Sequence, residues 1–467
     1  MGFSSIEYIF LFMPFFAAAY RIMPGRFRNA LLLAGSLVFY FAASGAHRDP
    51  TALILLAASA IANWLVGLLA SEFPRSRKLW IAVSVIFNFG ILFFFKYAGA
   101  AERLITGERV VFEDLIFPLG ISFYSFKAVG YTADVCRGHV AAETSPVRFA
   151  AWFCMFPTVT AGPITSYGAT SKELDGPDFG ILRFNDGIRA FVTGLAFKVL
   201  LADRIYPLFF AVSTTGWDSV STPLAWLSMI AYSLYIYFDF AGYSLMAIGT
   251  GRMLGFELPV NFRTPYMSKS MTEFWRRWHI TLGAWFKNYI YIPLGGSRRG
   301  KAVLIFSSLA VWLFTGIWHG STLNFLIWGL FLFAVVMLEK FFIGKYLSRF
   351  PWLGHIYMAF LIPVSWTIFA FPKTADLAGC FERLFPFLPQ GEIFPIYHDW
   401  LTYLGRYWYY LLPGLVFCTS LPGFIEKKLS EKPAGRIVCD AVLAALFVAS
   451  VWFLRKFDSD VFMYGNF

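Results

Sequence analysis

Long apolar runs, separated by short polar or basic loops, make up most of the chain. A helix needs roughly 20 apolar residues to cross a membrane, and in lipid only a helix satisfies the backbone of such a run. We therefore predict an all-α, polytopic membrane protein with about 11 to 13 membrane segments. We expect residues 1–467 to form one integral domain. The predicted runs are Tyr8–Tyr20, Ala30–Ala46, Thr51–Ala70, Leu79–Phe95, Leu115–Val129, Phe149–Ile164, Ile188–Leu201, Pro223–Thr250, Ala302–Trp318, Leu323–Leu338, Ile356–Phe371, Trp408–Leu421 and Val438–Leu454.

Composition and charge agree with this pattern. Charged residues make up 14% of the chain, against about 25% in a soluble domain, so a soluble domain is excluded. The net charge of +11 comes from cations clustered between the apolar runs, which is typical of cytoplasmic loops and not of a nucleic-acid-binding surface. The clusters that follow the first and third runs predict that the N-terminus lies outside. Five cysteines without CxxC spacing predict neither a disulfide framework nor a metal site.

Two histidines are the main candidates for chemistry. His319 directly follows the charge-free run Ala302–Trp318, and His279 lies forty residues earlier in a basic, aromatic segment. An ionisable group at membrane depth is costly and is usually functional, and imidazole exchanges protons near neutral pH. The alternatives are a core histidine bonded to a backbone carbonyl for His319 and a headgroup anchor for His279.

The segment 270–296 predicts an interfacial or re-entrant helix. Ser270 and Glu273 form a capping box that starts the helix. The Pro-Leu-Gly-Gly sequence after Ile292 ends it. About 20 residues of mixed polarity are typical of a helix that does not span.

Helical spacing within this segment predicts which side chains share a face. Trp275, His279 and Leu282 are expected on one face, with Arg276 beside them. Arg277 is expected to pair with Glu273 four residues earlier. Both arginines suit the phosphates of a coenzyme or phosphopantetheine arm, and the alternative is ordinary anchoring at the cytoplasmic face.

Two further places do not fit plain spanning helices. Residues 156–163 contain two prolines and a glycine in an apolar run, which requires protein or a water-filled cavity to supply the lost backbone partners. Asp239 is a lone carboxylate within Pro223–Thr250 and needs a partner. An arginine of the Arg276/Arg277 pair or a tyrosine hydroxyl is the expected one, in a structural or a functional role.

These segments together resemble the membrane-bound O-acyltransferase family, in its alginate O-acetylation branch, whose sister branch is the D-alanyl-lipoteichoic acid transferases. The combination of Phe-Trp-Arg-Arg-Trp-His-Ile-Thr-Leu with Trp-His-Gly is the most specific part. Pro-Leu-Gly-Gly favours the alginate branch. The resemblance is carried by residues 3–5, 28–33, 118–124, 161–164, 237–244, 273–282, 291–296, 316–320 and 462–467.

The resemblance implies a helical bundle with re-entrant or interfacial helices around a central tunnel. It implies that His319 is the central catalytic histidine, acting as the base that removes a hydroxyl proton or as a transient acyl carrier. His279 is then a second polar group in the tunnel that orients donor or acceptor. The residues expected to bind substrate are Arg276, Arg277, Trp318, Asp239, Tyr243 and Asn288.

The expected function is O-acetylation of an exopolysaccharide such as alginate. The resemblance implies a cytoplasmic thioester donor, acetyl-CoA, as substrate and no bound cofactor. The expected partners are membrane lipids and a periplasmic acetyltransferase or other polysaccharide-modification proteins. The alternatives are acylation of another glycan or of teichoic acid and, in a different class, a transporter or flippase with a His319/Asp239 proton relay.

Overall fold

A computed structural model describes residues 1–45, 49–107, 111–112, 115–388, 396–457 and 462 of the chain. Within these ranges the regular structure is entirely helical, without a strand, which confirms the all-α fold. Residues 463–467 of the C-terminal motif lie outside the described part. The chain divides into two compact units, and the prediction of a single domain remains a prediction.

Unit 1 comprises Met1–Leu195, Tyr243–Val260 and Leu454–Phe467. A π-helical turn over Tyr8–Phe12 precedes its first α-helix, and a 3₁₀ turn over Pro74–Ser76 precedes the fourth. Its helices are α1 (Met13–Ile22), α2 (Gly25–Ala43), α3 (Thr51–Glu72), α4 (Arg77–Thr106), α5 (Ile121–Cys136), α6 (Pro146–Phe153), α7 (Phe156–Val159), α8 (Tyr167–Asp175) and α9 (Ile181–Ala196).

Unit 2 comprises Ala196–Gly242 and Asn261–Phe453. Its α-helices are interrupted or extended by π-helical segments at Phe197–Ala202, Lys287–Tyr291 and Glu339–Ile343. The helices are α10 (Asp203–Thr215), α11 (Thr222–Met253, which belongs to unit 1 from Tyr243), α12 (Met271–Arg277), α13 (Ile280–Phe286), α14 (Lys301–His319), α15 (Leu323–Leu338), α16 (Gly344–Arg349), α17 (Pro351–Ala370), α18 (Thr374–Leu384), α19 (Asp399–Phe417), α20 (Leu421–Ser430) and α21 (Pro433–Lys456).

Seven helices of the described chain are long and apolar enough to cross a membrane, and α19 with α20, bent by 70°, makes an eighth if counted as one span. Several predicted runs form shorter or broken helices, so the count of 11 to 13 segments remains a prediction. Apolar side chains of α21 are largely uncovered by the rest of the chain, as is typical of a helix that faces lipid. The seven are Thr51–Glu72, Pro74–Thr106, Thr222–Met253, Lys301–His319, Leu323–Arg349, Pro351–Ala370 and Pro433–Lys456.

In unit 1 the apolar run is broken at the predicted segment 156–163, where the short α7 covers only Phe156–Val159 and is separated from α6. The Lys127 ammonium donates to the carbonyl oxygen of Trp152 at 2.7 Å and to the Thr158 hydroxyl at 2.9 Å. The Phe156 N–H donates to Ser36 Oγ at 3.1 Å. Buried side chains thus supply the partners that a continuous helix would have provided.

In unit 2, α14 and α15 form a closely packed antiparallel pair. A Cβ at Gly316 would lie 2.6 Å from the Phe325 carbonyl oxygen, and one at Gly329 would lie 2.5 Å from that of Trp312. Because glycine has no Cβ, the two backbones approach within contact distance at the end of the pair. This close approach fixes the place of His319, the last residue of α14.

Candidate active site

His319 lies in an aromatic pocket. Its ring centroid is 4.5 Å from that of Trp318, 5.0 Å from that of Trp328 and 5.2 Å from that of Phe369, and the residue is 5% exposed. The stacked ring of Phe325 lies 6.1 Å away. A histidine enclosed in this way is shielded from bulk water and has few orientations available.

The residue after the histidine has to be small. A Cβ at Gly320 would lie 2.4 Å from the Phe325 ring, which itself packs on His319. Asn324 contributes a second restraint, because its amide donates to the carbonyl oxygens of Ile368 at 3.2 Å and Phe369 at 3.1 Å. The amide thereby ties the end of α17, and the Phe369 ring, to the start of α15.

The second histidine interrupts a helix. The predicted continuous helix through residue 292 is wrong, because α12 ends at Arg277 and α13 begins at Ile280. His279 lies between them with φ 44° and ψ 53°, a left-handed conformation that non-glycine residues adopt rarely. The expected common face of Trp275, His279 and Leu282 on one helix is therefore absent.

His279 is buried and neutral. Its ring lies 4.8 Å from that of Phe240, and its Nδ1 lies 3.4 Å from Asn261 Oδ1. Burial lowers its pKa from the ordinary 6.5 to about 3, because the charged imidazolium loses its hydration. At neutral pH the ring therefore has one protonated and one unprotonated nitrogen.

An aromatic cluster connects the surroundings of the two histidines within unit 2. Trp278, the neighbour of His279, lies 5.0 Å from Trp366 between ring centroids. Trp366 lies 5.5 Å from Phe369 and 6.0 Å from Trp328, both of which contact the His319 ring. The sequence analysis missed Trp366, because nothing in the local pattern distinguishes it from a core tryptophan.

The predicted start of α12 is confirmed. Ser270 Oγ accepts from the Glu273 N–H at 3.1 Å, and Glu273 pairs with Arg277 at 2.5 Å. The Glu273 carboxylate also accepts from the Lys269 N–H at 2.9 Å, one residue before the N-cap. Arg276 is exposed, whereas Arg277 is held by Glu273, so Arg276 is the more accessible of the two predicted phosphate ligands.

A buried carboxylate from another element anchors the same helix. Glu339 accepts from the N–H groups of Met271 at 2.5 Å and Thr272 at 2.9 Å, and from the Thr272 and Tyr357 hydroxyls at 2.6 and 3.2 Å. A carboxylate at a helix N-terminus satisfies orphan N–H groups and complements the helix dipole. The sequence analysis did not identify this residue.

Asp239 pairs with a lysine. Lys198 Nζ lies 2.7 Å from its carboxylate and 2.8 Å from that of Asp203, and all three side chains are buried. This partner differs from the arginine or tyrosine that we expected. Lys198 lies within the predicted apolar run Ile188–Leu201 and Asp203 lies two residues after it, and their charge there was the available signal. The three residues form an ion triad that joins α10 and the preceding π-helical segment to α11.

Tyr243 and Asn288 were also predicted to contact substrate. Tyr243 belongs to unit 1, where its hydroxyl is hydrogen-bonded to that of Thr160 and its ring lies 4.4 Å from that of Phe462. Asn288 is exposed in the π-helical segment after α13.

Comparison with known proteins gives one family and several relatives. The profile of the MBOAT, membrane-bound O-acyltransferase family matches residues 78–371. A probable alginate O-acetylase of Azotobacter vinelandii is 36% identical over 383 residues, which cover 79% of this chain and 75% of that protein. The peptidoglycan O-acetyltransferase of Helicobacter pylori is 31% identical over 371 residues, covering 70% and 68%. The teichoic acid D-alanyltransferase of Bacillus subtilis is 29% identical over 252 residues, covering 51% and 63%.

Proposed function

Because this chain belongs to the membrane-bound O-acyltransferase family, we propose that it transfers an acetyl group from a thioester to hydroxyl groups of an exopolysaccharide such as alginate. The chain is a multi-pass membrane O-acyltransferase, an enzyme and not the transporter that the sequence alone also allowed. The observation that carries the proposed mechanism is a histidine, His319, enclosed in an aromatic pocket at the end of an apolar helix.

The proposed acceptor rests on the relatives. The alginate O-acetylase shares more of its length and a higher identity with this chain than the D-alanyltransferase does. The peptidoglycan O-acetyltransferase also moves an acetyl group to a cell-envelope glycan, as its name states. We therefore favour acetyl over D-alanyl transfer, and a glycan over teichoic acid.

His319 is proposed as the base. Its imidazole accepts the proton of the attacking hydroxyl as the new ester C–O bond forms, and returns that proton to the sulfur as the thioester C–S bond breaks. The products are an ester and a free thiol, so atoms and charge balance. Enclosure by aromatic rings keeps water from competing with the hydroxyl for the acyl group.

His279 and Arg276 are proposed to bind and orient the substrates. A neutral imidazole at His279 offers one donor and one acceptor to a polar group of donor or acceptor. The exposed guanidinium of Arg276 suits the phosphates of acetyl-CoA, whereas Arg277 is paired with Glu273. The contacts of Asp239 and Tyr243 with other side chains support structural roles for both.

The proposed route crosses a bacterial inner membrane. The basic loops are proposed to face the cytoplasm, which places the N-terminus outside and lets the thioester enter from the cytoplasmic side. The acetyl group then reaches the acceptor on the outer side, directly or through a periplasmic acetyltransferase partner. Trp318 and Asn288 remain proposed substrate contacts along this route.

His319→Ala tests the proposal. Transfer of labelled acetyl from acetyl-CoA by the purified protein is expected to fall by about 10²- to 10⁴-fold, the usual contribution of a positioned general base. His139→Ala is the matched control, because His139 is exposed and pairs with Asp134 far from the aromatic pocket in sequence. An unchanged rate in His319→Ala protein that elutes and melts like the wild type would exclude His319 as the base.

A further inference from the structure

Asn261 lies at the interruption between α12 and α13, on a segment that the sequence analysis did not connect with the site. We propose that Asn261 is a positioning residue for His279: its side-chain oxygen holds the imidazole with the proton on Nδ1 and leaves Nε2 as the proton-accepting nitrogen. The catalytic meaning of this assignment rests on the proposed function. The geometry of the contact does not.

The backbone around Asn261 replaces the hydrogen bonds that the broken helix loses. The Ile280 N–H donates to the Asn261 carbonyl oxygen at 3.0 Å, and the Arg263 N–H donates to the Arg277 carbonyl oxygen at 3.0 Å. These two bonds lie on either side of His279. A left-handed conformation at a non-glycine residue is unfavourable and persists only where the surrounding structure restrains it. The segment beginning at Asn261 provides that restraint.

The orientation of the carboxamide follows from Thr281. Asn261 Oδ1 accepts from the Thr281 N–H at 3.3 Å and from the Thr281 hydroxyl at 2.7 Å. A backbone N–H only donates, so the side-chain oxygen of Asn261, and not its amide nitrogen, faces Thr281. His279 Nδ1 lies 3.4 Å from the same oxygen. Because that oxygen only accepts, Nδ1 carries the hydrogen and Nε2 carries the lone pair.

The side-chain nitrogen of Asn261 supports a role for this residue in binding substrate. Asn261 is fully buried, and its Nδ2 has no hydrogen-bond partner among the residues that the structure describes. Folded proteins leave few buried donors without a partner, and those few call for a functional or solvent explanation. A buried N–H group next to His279 suits an oxygen of the substrate.

A double-mutant cycle tests whether Asn261 acts through His279. Asn261→Ala is expected to lower kcat by about 10²-fold, the cost of a displacement of about 1 Å at a reacting group. In a His279→Ala background it is expected to change kcat by less than about twofold, because the residue it positions is gone. Asn63→Ala is the matched control, since Asn63 is a fully buried carboxamide that pairs with Asn88 in unit 1. Its effect should be the same in both backgrounds. Equal effects of Asn261→Ala in both backgrounds would overturn the proposal.

The tautomer provides a readout that does not depend on catalysis. With ¹⁵N-histidine labelling, the signals of His279 among the six histidines are those lost in His279→Gln. We expect the pattern of an Nδ1-protonated neutral ring in the wild type, and a mixture of tautomers in Asn261→Ala. An Nε2-protonated ring in the wild type refutes the inference, even if Asn261→Ala does not fold. Absence of acetyl transfer by the wild type refutes the proposed function and leaves this measurement valid.

Discussion

The net charge of the buried ion triad of Lys198, Asp203 and Asp239 predicts how substitutions in it change the stability of the protein. Nζ lies 2.8 and 2.7 Å from the two carboxylates. Each contact is worth about 6 kcal/mol of Coulomb attraction at an effective dielectric constant of about 20. Desolvation offsets most of this gain. What decides the outcome is the charge that remains after a substitution.

One ammonium against two carboxylates gives the triad a formal net charge of −1. Asp239→Asn brings this to zero and leaves an oxygen that still accepts from Lys198, so it should cost less than about 1 kcal/mol or stabilise. Asp239→Ala also brings it to zero but removes that acceptor and leaves a cavity. Lys198→Met brings the charge to −2 in a buried place, and breaking a buried pair costs about 3–5 kcal/mol.

Thermal unfolding in detergent, followed by size-exclusion retention, measures this order. We expect stability to fall in the order Asp239→Asn, Asp239→Ala, Lys198→Met, and the double variant Lys198→Met/Asp239→Asn to be more stable than Lys198→Met alone. Recovery in the double variant is the sharpest test, because a second substitution in a core usually destabilises further. Lys198→Met that is as stable as Asp239→Asn would refute the reasoning from charge.

Two further predictions concern the histidines. Gly320→Ala should lower the rate of acetyl transfer by about 10²-fold, because the added Cβ displaces the Phe325 ring that packs on His319. Gly90→Ala is the control and should leave the rate unchanged, because its Cβ would meet nothing within 4 Å. Equal rates in the two variants would contradict the packing argument. Burial lowers the pKa of His279 to about 3 from 6.5, so the unfolded chain binds a proton that the folded chain excludes between these values. Stability from this group is complete above pH 6.5 and falls by up to about 1.4 kcal/mol per pH unit below it. The melting temperature should therefore fall less between about pH 7 and 5 in His279→Gln than in the wild type, and equal falls would argue against a neutral, buried ring.

Features that depend on neighbours along the chain could be predicted from the sequence. Composition and run length gave an all-helical membrane protein, because lipid permits no other structure for such runs. The Ser270 cap and the Glu273–Arg277 pair were predicted correctly, since both join residues within one helical turn. The family, and with it His319 as the central candidate, followed from several short motifs, each of which joins residues close together in the sequence.

Features that join distant segments were decided by the tertiary structure. His279 leaves the helical conformation where Asn261, 18 residues earlier, contacts its ring and accepts from the Ile280 N–H, and helical periodicity carries no sign of that distant residue. Asp239 meets Lys198, 41 residues away, and Glu339 caps a helix 68 residues away. A carboxylate within an apolar run can be recognised in the sequence as one that needs a cation or hydrogen-bond donors. The identity of that partner depends on how whole helices pack. Helix packing is governed by the apolar area buried and the backbone hydrogen bonds formed across the entire unit, and not by residues near the carboxylate in sequence.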